Sequence, residues 1–355
     1  MTGSGRAPTV TVLMAVYNGE PYLGEAIESI LEQSHRDFEF VIVDDGSTDR
    51  SRERITGYAD PRIRLLTNDG NLGLGAALNR GLASATGALV ARQDADDVSK
   101  PTRLERQLAY LTRHPEVAVV GSWYRKIDPA GRDVGLRRLP CSPLDIRWAM
   151  LFHCPLIHSA VMFRRGPIAD RVGSYDPRFA YAQDYDLWSR VAAVFPMANL
   201  TEPLVRLRTN PGSMTSTYGE RTREGPEISI ANIGRLLGWT APPAGFERRR
   251  NAMEALVLSA DPDVTADDLV QAIPEVLTLH QAFSQAERLP PAEASARGAT
   301  LQRHMAGRLL ALCRRGRCRT AADARHVLAE ATRLSPRALV SADGLRLAVT
   351  GLGHA

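Results

Sequence analysis

The sequence has no apolar run approaching the roughly 18 residues that a membrane-spanning helix requires. It also has few cysteines. Cys141, Cys154, Cys313 and Cys318 form no Cys-x-x-Cys pair, so neither a zinc site nor a dithiol redox site is indicated. They read as free thiols of a cytoplasmic protein. Charge of one sign is not in excess: 44 Lys and Arg stand against 40 Asp and Glu. No bulk field marks the chain for nucleic acid, although its many Arg leave room for local basic patches. Met1 to Pro8 is polar and Gly-rich with no apolar signal core after it, which predicts a protein without an export signal. No nucleophile motif and no fixed repeat period stand out.

What is present begins with Thr9-Val10-Thr11-Val12-Leu13-Met14-Ala15-Val16, apolar and rich in β-branched residues, which predicts a buried strand broken at Tyr17-Asn18-Gly19-Glu20. A helix from Tyr22 to Leu31 follows, with Leu23, Ile27, Ile30 and Leu31 at helical spacing, then a strand from Phe38 to Val43. Strand, helix and strand make a βαβ unit with a parallel pair. The second strand stops at Asp44-Asp45-Gly46-Ser47-Thr48-Asp49, where Ser47 or Thr48 is suited to cap a helix from Arg50 to Tyr58. Asp45 at the strand end suits a hydrogen bond from a base or ribose.

A third strand, Ile63 to Leu66, leads into Asn68-Asp69-Gly70-Asn71-Leu72-Gly73-Leu74-Gly75 and a helix from Ala76 to Ala85. The third glycine of a dinucleotide fingerprint is absent, since Leu78 stands there. These glycines instead permit close backbone approach to a ligand. A fourth strand, Ala88 to Ala91, runs into Asp94-Ala95-Asp96-Asp97. A helix-loop calcium site is excluded because Val98 and Ser99 stand where Asp or Asn and then Gly are needed. If the sheet is parallel, three strands end in carboxylate- or glycine-bearing loops on one edge. A nucleotide with a metal-bound diphosphate fits such an edge.

Val16-Tyr17-Asn18-Gly19, Val43-Asp44-Asp45-Gly46-Ser47-Thr48-Asp49, Asn71-x-Gly73, Asp94-Ala95-Asp96-Asp97 and Gln183-Asp184-Tyr185-Asp186-Leu187-Trp188-Ser189-Arg190 resemble, in order and from about Pro8 to Ser216, the motif series of family 2 glycosyltransferases. The resemblance implies an inverting enzyme of GT-A type: an α/β fold with a mainly parallel central sheet that binds a nucleoside diphosphate sugar, a UDP-sugar favoured. It implies Asp184 as the base that takes the acceptor proton, and Mg²⁺ or Mn²⁺ held chiefly by Asp96, with Asp94 as second ligand or ribose contact. Val16, Tyr17, Asn18, Asp45, Asn71, Gly73, Arg92 and Asp94 are assigned to the donor. Gln183 replaces the family's Glu, a change assigned to acceptor positioning. Asn210 stands where many members carry His, so the third protein ligand is not defined. His158 is open to two roles, a phosphate or sugar contact or a hydrogen-bonded structural His.

After the acidic motif the sequence predicts a helix from Lys100 to His114, a strand from Val117 to Ser122, a polar hairpin or loop from Arg125 to Pro140 and a strand over His158 to Arg165. Asp184 falls at the first turn of a helix whose Leu187, Trp188, Val191 and Val194 face the core, where the helix dipole favours its ionised form. Residues 1–218 read as the glycosyltransferase domain and 219–355 as a helical region. Its expected helices are Arg235 to Trp239, Phe246 to Leu258, Thr265 to Ala272, Glu275 to Glu287, Leu301 to Arg314, Ala321 to Leu334 and Pro336 to Val349. For this region acceptor binding, homodimer formation and docking at the inner face of a membrane, with Arg314 to Arg319 as one basic cluster, all remain open. The acceptor is undefined, with cell-surface polysaccharide, glycolipid and secondary metabolite as the classes considered, and nothing points to nucleic acid. Two rivals are a nucleotidyltransferase, which needs a Gly- and basic-rich loop where Tyr17-Asn18-Gly19-Glu20 stands, and a non-catalytic sugar-nucleotide-binding protein.

Overall fold

The computed structural model describes residues 7–210, 223–258, 264–312 and 321–337. The chain separates into two compact units, Met1–Ile228 and Ser229–Ala355. In the first, strands β1 (Val10–Val16), β2 (Phe38–Asp44), β3 (Ile63–Thr67) and β4 (Leu89–Gln93) alternate with helices α1 (Glu20–Leu31), α2 (Ser51–Thr56) and α3 (Leu74–Ser84). Then come β5 (Val98–Ser99), α4 (Arg103–Arg113), β6 (Val119–Ile127), β7 (Asp133–Arg137), α5 (Pro143–Ala149), a 3-10 turn at His158–Ala160, β8 (Met162–Arg164), α6 (Arg165–Arg171), α7 (Gln183–Ala192) and β9 (Met197–Arg208).

The sheet order is β3-β2-β1-β4-β8-β6-β9-β5, with β7 paired to β6. The first four strands are parallel neighbours, as expected. Beyond them the sheet is mixed: β8 runs antiparallel to both β4 and β6, and β6 and β9 are parallel. Register aligns Val16 with Asp44 and Asp44 with Thr67, and sets Met14 beside Gln93. The loops after β1, β2, β3 and β4 therefore emerge together on one edge.

Alternation along β1 divides the core. Val10, Val12, Met14 and Val16 pack with Leu23, Ala26, Ile27 and Ile30 of α1, while Leu13 joins Val41, Val43, Ala77 and Leu78 on the α3 side. Each such fully buried aliphatic side chain contributes roughly 1.5–3 kcal/mol. Trp188 is fully buried and meets Phe163 edge-on at 5.5 Å, so its role is packing.

Three local expectations change. The strand expected over His158 to Arg165 becomes a 3-10 turn, a three-residue strand and the start of α6, because Pro167 falls in that helix's first turn, where its fixed φ favours helix. Neither Ser47 nor Thr48 caps α2; both bond Asn18, and the Ser51 N–H goes to Asp49 at 2.9 Å. The two helices expected around Pro274 are one.

In the second unit α8 (Glu224–Leu237), whose first turn belongs to the first unit, is followed by α9 (Phe246–Leu258), α10 (Ala266–Ala286), α11 (Pro291–Leu312) and α12 (Ala321–Leu334). Thr265 and Asp268 form a reciprocal capping box at the start of α10. That helix continues through Pro274 because its apolar stripe, Leu269, Ile273, Val276, Leu279 and Phe283, stays buried on both sides of it. α8 is longer than expected and stops at Gly238, whose φ of 69° suits a helix terminus. α11 begins at Pro291, well before Leu301. The Arg314 to Arg319 cluster, Cys313, Cys318, the end of the helix expected from Pro336 and the proposed boundary at 218 lie outside the described residues. Among the described residues no helix is long and apolar enough to cross a membrane.

Gly46 shows how tightly the edge loops meet. Its φ is +72°, and a Cβ there would lie 2.5 Å from the carbonyl carbon of Gly70, whereas a Cβ on Gly70 meets nothing within 4 Å. Gly46→Ala is expected to destabilise the fold by about 2–4 kcal/mol in urea unfolding, from left-handed strain plus overpacking. Gly70→Ala should stay within about 0.5 kcal/mol.

Candidate active site

Three loops on the carboxyl edge are stitched together by side chains. Asn18, in the left-handed region with φ 52°, accepts the N–H groups of Thr48 at 2.9 Å and Asp49 at 3.3 Å, and its own N–H donates to Ser47 Oγ at 3.0 Å. The Asp45 N–H donates to the Val16 carbonyl at 2.8 Å. The buried Asp45 carboxylate accepts from Asn68 Nδ2 at 2.5 Å and from the N–H groups of Leu72 at 3.1 Å and Gly73 at 2.9 Å. Asp45 thus fastens the Asn71–Gly73 loop to the end of β2, and Asn71 Oδ1 shares the Gly73 N–H. Tyr17, 49% exposed, and Leu72, 63% exposed, are left as apolar surface on these loops. The loops thus pair an exposed aromatic face with polar groups held in fixed positions, the combination that suits a flat polar ligand.

The acidic turn is held from beneath. The buried Gln93 amide donates to the carbonyls of Asp94 at 3.1 Å and Asp97 at 2.7 Å. Arg103, fully buried in α4, donates to Gln93 Oε1, Ser99 Oγ and the carbonyls of Arg92 and Val161. Arg208 donates its side-chain Nε to the Asp96 carbonyl at 3.0 Å and its backbone N–H to the Asp97 carboxylate at 2.8 Å, while its guanidinium lies 4.4 Å from the centre of the Tyr22 ring and bonds Glu25. Asp97 points inward onto Ser159 and Arg208, and burial together with the charges of Asp94 and Asp96 pushes its pKa well up. Asp94 is a third exposed and bonds the fully buried Arg92 at 2.6 Å. Arg92 therefore stands behind Asp94 and reaches the edge only through it.

Asp184 occupies the first turn of α7. Burial, opposed by the Tyr185 N–H and reinforced by the charge of Asp94, raises its pKa to about 6. Desolvation therefore outweighs the helix dipole, yet the carboxylate is still mostly ionised at pH 7. Arg92 also acts on this group, so Asp184, Asp94 and Arg92 share one electrostatic neighbourhood. His158 and Tyr175 lie in it too, joined Nε2 to hydroxyl at 2.8 Å. Burial and the Arg92 charge hold the His158 pKa well below its ordinary value, which leaves it neutral and structural. Cys154 is partly buried, and desolvation raises its thiol pKa well above the ordinary value, which disfavours the nucleophilic thiolate.

Among the described residues no group of three or more His, Cys, Asp or Glu is arranged to hold a metal by protein ligands alone. The donor set still suits a hard cation shared with phosphate oxygens, a mode that needs only one or two carboxylates. Burial and the adjacent Asp94 charge raise the Asp96 pKa to about 6, a repulsion that a cation relieves. The Asn210 side chain hydrogen-bonds Asp96 and so belongs to the same cluster.

The sequence reading missed Gln93, Arg103 and Arg208. Arg103 and Gln107 at i, i+4 spacing offer the only signal, two polar groups on the face that carries Leu104 and Leu111.

Folding raises the Asp184 pKa from 3.8 to about 6. Its protonated form is therefore favoured in the folded state, and the associated stability is present below about pH 4 and lost as pH rises through 6. Asp184→Asn is accordingly expected to be more stable than the parent at pH 8, on the order of 2 kcal/mol by denaturant melts, and indistinguishable at pH 4.

The family model described as Glycosyl transferase family 2 matches residues 11–171. The amylovoran biosynthesis glycosyltransferase AmsE of Erwinia amylovora is 35% identical over 215 residues, 59% of this chain and 79% of the relative. S. aureus TarS 1–349, solved with UDP-GlcNAc, aligns over 92% of this chain and 91% of its own with a TM-score of 0.55 at 18% identity. The mannosyltransferase PcManGT of Pyrobaculum calidifontis, solved with GDP-Man and Mn²⁺, aligns over 94% and 88% with a TM-score of 0.51 at 22% identity. The fold is therefore of GT-A type, and the chain belongs to glycosyl transferase family 2 and is a glycosyltransferase.

Proposed function

We propose that residues 1–218 move a sugar from a nucleoside diphosphate sugar, a UDP-sugar favoured, to an acceptor hydroxyl with inversion at the anomeric carbon. The observation that carries this reading is the shared neighbourhood of Asp184 and Asp94, a carboxylate with pKa about 6 beside the edge suited to a diphosphate. The acceptor oxygen attacks the anomeric carbon as Asp184 takes its proton, and the bond to the diphosphate breaks with its electron pair leaving on the phosphate oxygen. A base whose pKa lies just below the working pH combines ionisation with proton affinity. Asp45, Asn18 and the backbone of Val16 and Gly73 fix the loops that receive base and ribose, with Tyr17 presenting its ring. Arg92 orients Asp94. Mg²⁺ or Mn²⁺ held by Asp96 and Asp94 supplies, when bound, positive charge against the departing diphosphate. The name of the Erwinia relative supports an acceptor of the surface-polysaccharide class.

The test is turnover of a panel of UDP-, GDP- and dTDP-sugars with polyol acceptors across pH 4.5 to 9. Transfer is expected to rise about tenfold per unit below pH 6 and level off above it, following ionised Asp184. Asp184→Asn should lose about 10³-fold or more in transfer and show no such limb, with donor affinity retained. A pH-independent rate in the parent, or full transfer by Asp184→Asn, contradicts the assignment.

A further inference from the structure

The turn that delivers Asp184 is held by a residue far from it in sequence. Glu224, at the first position of α8, accepts three successive backbone N–H groups: Ala180 at 2.9 Å on one oxygen, Tyr181 at 2.8 Å and Ala182 at 2.7 Å on the other. Ala182 is the N-cap residue of α7, two positions before Asp184. The amide group of Gln183, only 3% exposed, lies against the carbonyls of Ala180 at 3.3 Å and Tyr181 at 3.1 Å, and the orientation that satisfies it is the one with its nitrogen turned to donate to both. The donors of the turn thus go to one carboxylate and two of its acceptors to one amide. A carboxylate accepts on both oxygens, which a neutral side chain of the same shape cannot do, and three charge-assisted bonds are stronger than neutral ones. The α8 end of the clamp is itself anchored, because Ile228, one turn on, is buried in the α/β core with Trp188 and Leu187 of α7.

We infer that Glu224 is a positioning residue for the base, a carboxylate that sets the direction in which Asp184 meets the acceptor. Gln183 is its counterpart, an amide that with its nitrogen toward these two carbonyl oxygens gives each a donor, which an ionised carboxylate does not. The inference rests on the proposed role of Asp184 and touches no donor-binding loop, so it separates acceptor chemistry from donor affinity. A displaced base costs rate steeply: a misplacement near 1 Å is worth about 10²-fold.

The experiment compares the full-length parent with Glu224→Gln, Glu224→Ala and Gln183→Glu by three readings. Transfer kcat is expected to fall about threefold in Glu224→Gln and about 30-fold in Glu224→Ala and Gln183→Glu, while the Kd for nucleoside diphosphate stays within about twofold. Amide hydrogen exchange at residues 180–182 should quicken at least about tenfold in Glu224→Ala. Transfer at the parent rate in Glu224→Ala, unchanged exchange at those amides, or equal losses in kcat and nucleotide affinity would overturn the inference. Absence of sugar transfer by the parent counts against the proposed function instead, since hydrogen exchange reads the clamp without turnover.

Discussion

Negative charge crowded into a partly desolvated edge is the constraint on which this structure depends. Asp94 acts electrostatically on Asp96, Asp97 and Asp184, and burial is the largest cause of the raised pKa at each of these three. Such a cluster survives because its backbone and its inward-facing oxygens are fully bonded: Gln93 and Arg103 below the turn, Ser159 and Arg208 on Asp97, Arg92 on Asp94. Arg103 itself is desolvated enough for its pKa to fall to about 9, which shows how dry the layer beneath the edge is. The proposed function assigns the remaining carboxylate oxygens of Asp94 and Asp96 to a cation and a diphosphate.

The parallel register converts this local chemistry into a site. Because β1, β2 and β3 end in one row, Asn18 reaches the backbone of Thr48 and Asp49, and Asp45 reaches that of Leu72 and Gly73. Gly46 permits the contact by presenting no Cβ to Gly70. Asp45 and Asn18 spend their hydrogen bonds on protein and fix the shape of the loops. Asp184 approaches the same edge from a later helix, which the antiparallel insertion of β8 and the packing of Trp188 on Phe163 bring alongside.

Much of this was legible in the chain. The β-branched runs at Val10 and Phe38, the polar breaks after them and the acidic turn at Asp94 are local signals, and local signals specified the parallel half of the sheet and its edge. What stayed hidden depends on long-range partners. Arg103 looks like an ordinary first-turn helix residue until α4 is packed under β4. Glu224 cannot be tied to Ala180 by any spacing rule. The sequence divides α10 into helices ending at Ala272 and starting at Glu275, because the buried apolar stripe that carries one helix through Pro274 is a tertiary property. The helix dipole that favours ionised Asp184 is visible in the sequence, whereas the burial that raises its pKa to about 6 is a tertiary property.

The central claim is that the Asp94–Asp96 edge is completed by a cation that arrives with a diphosphate. Calorimetric titration of UDP and GDP into the protein, with Mn²⁺ and after its removal by chelation, tests this most directly when repeated on Asp96→Asn. The account predicts nucleotide binding at least about tenfold tighter with Mn²⁺ in the parent and no such gain in the variant. Equal affinity with and without metal in the parent, or an undiminished gain in Asp96→Asn, would contradict it.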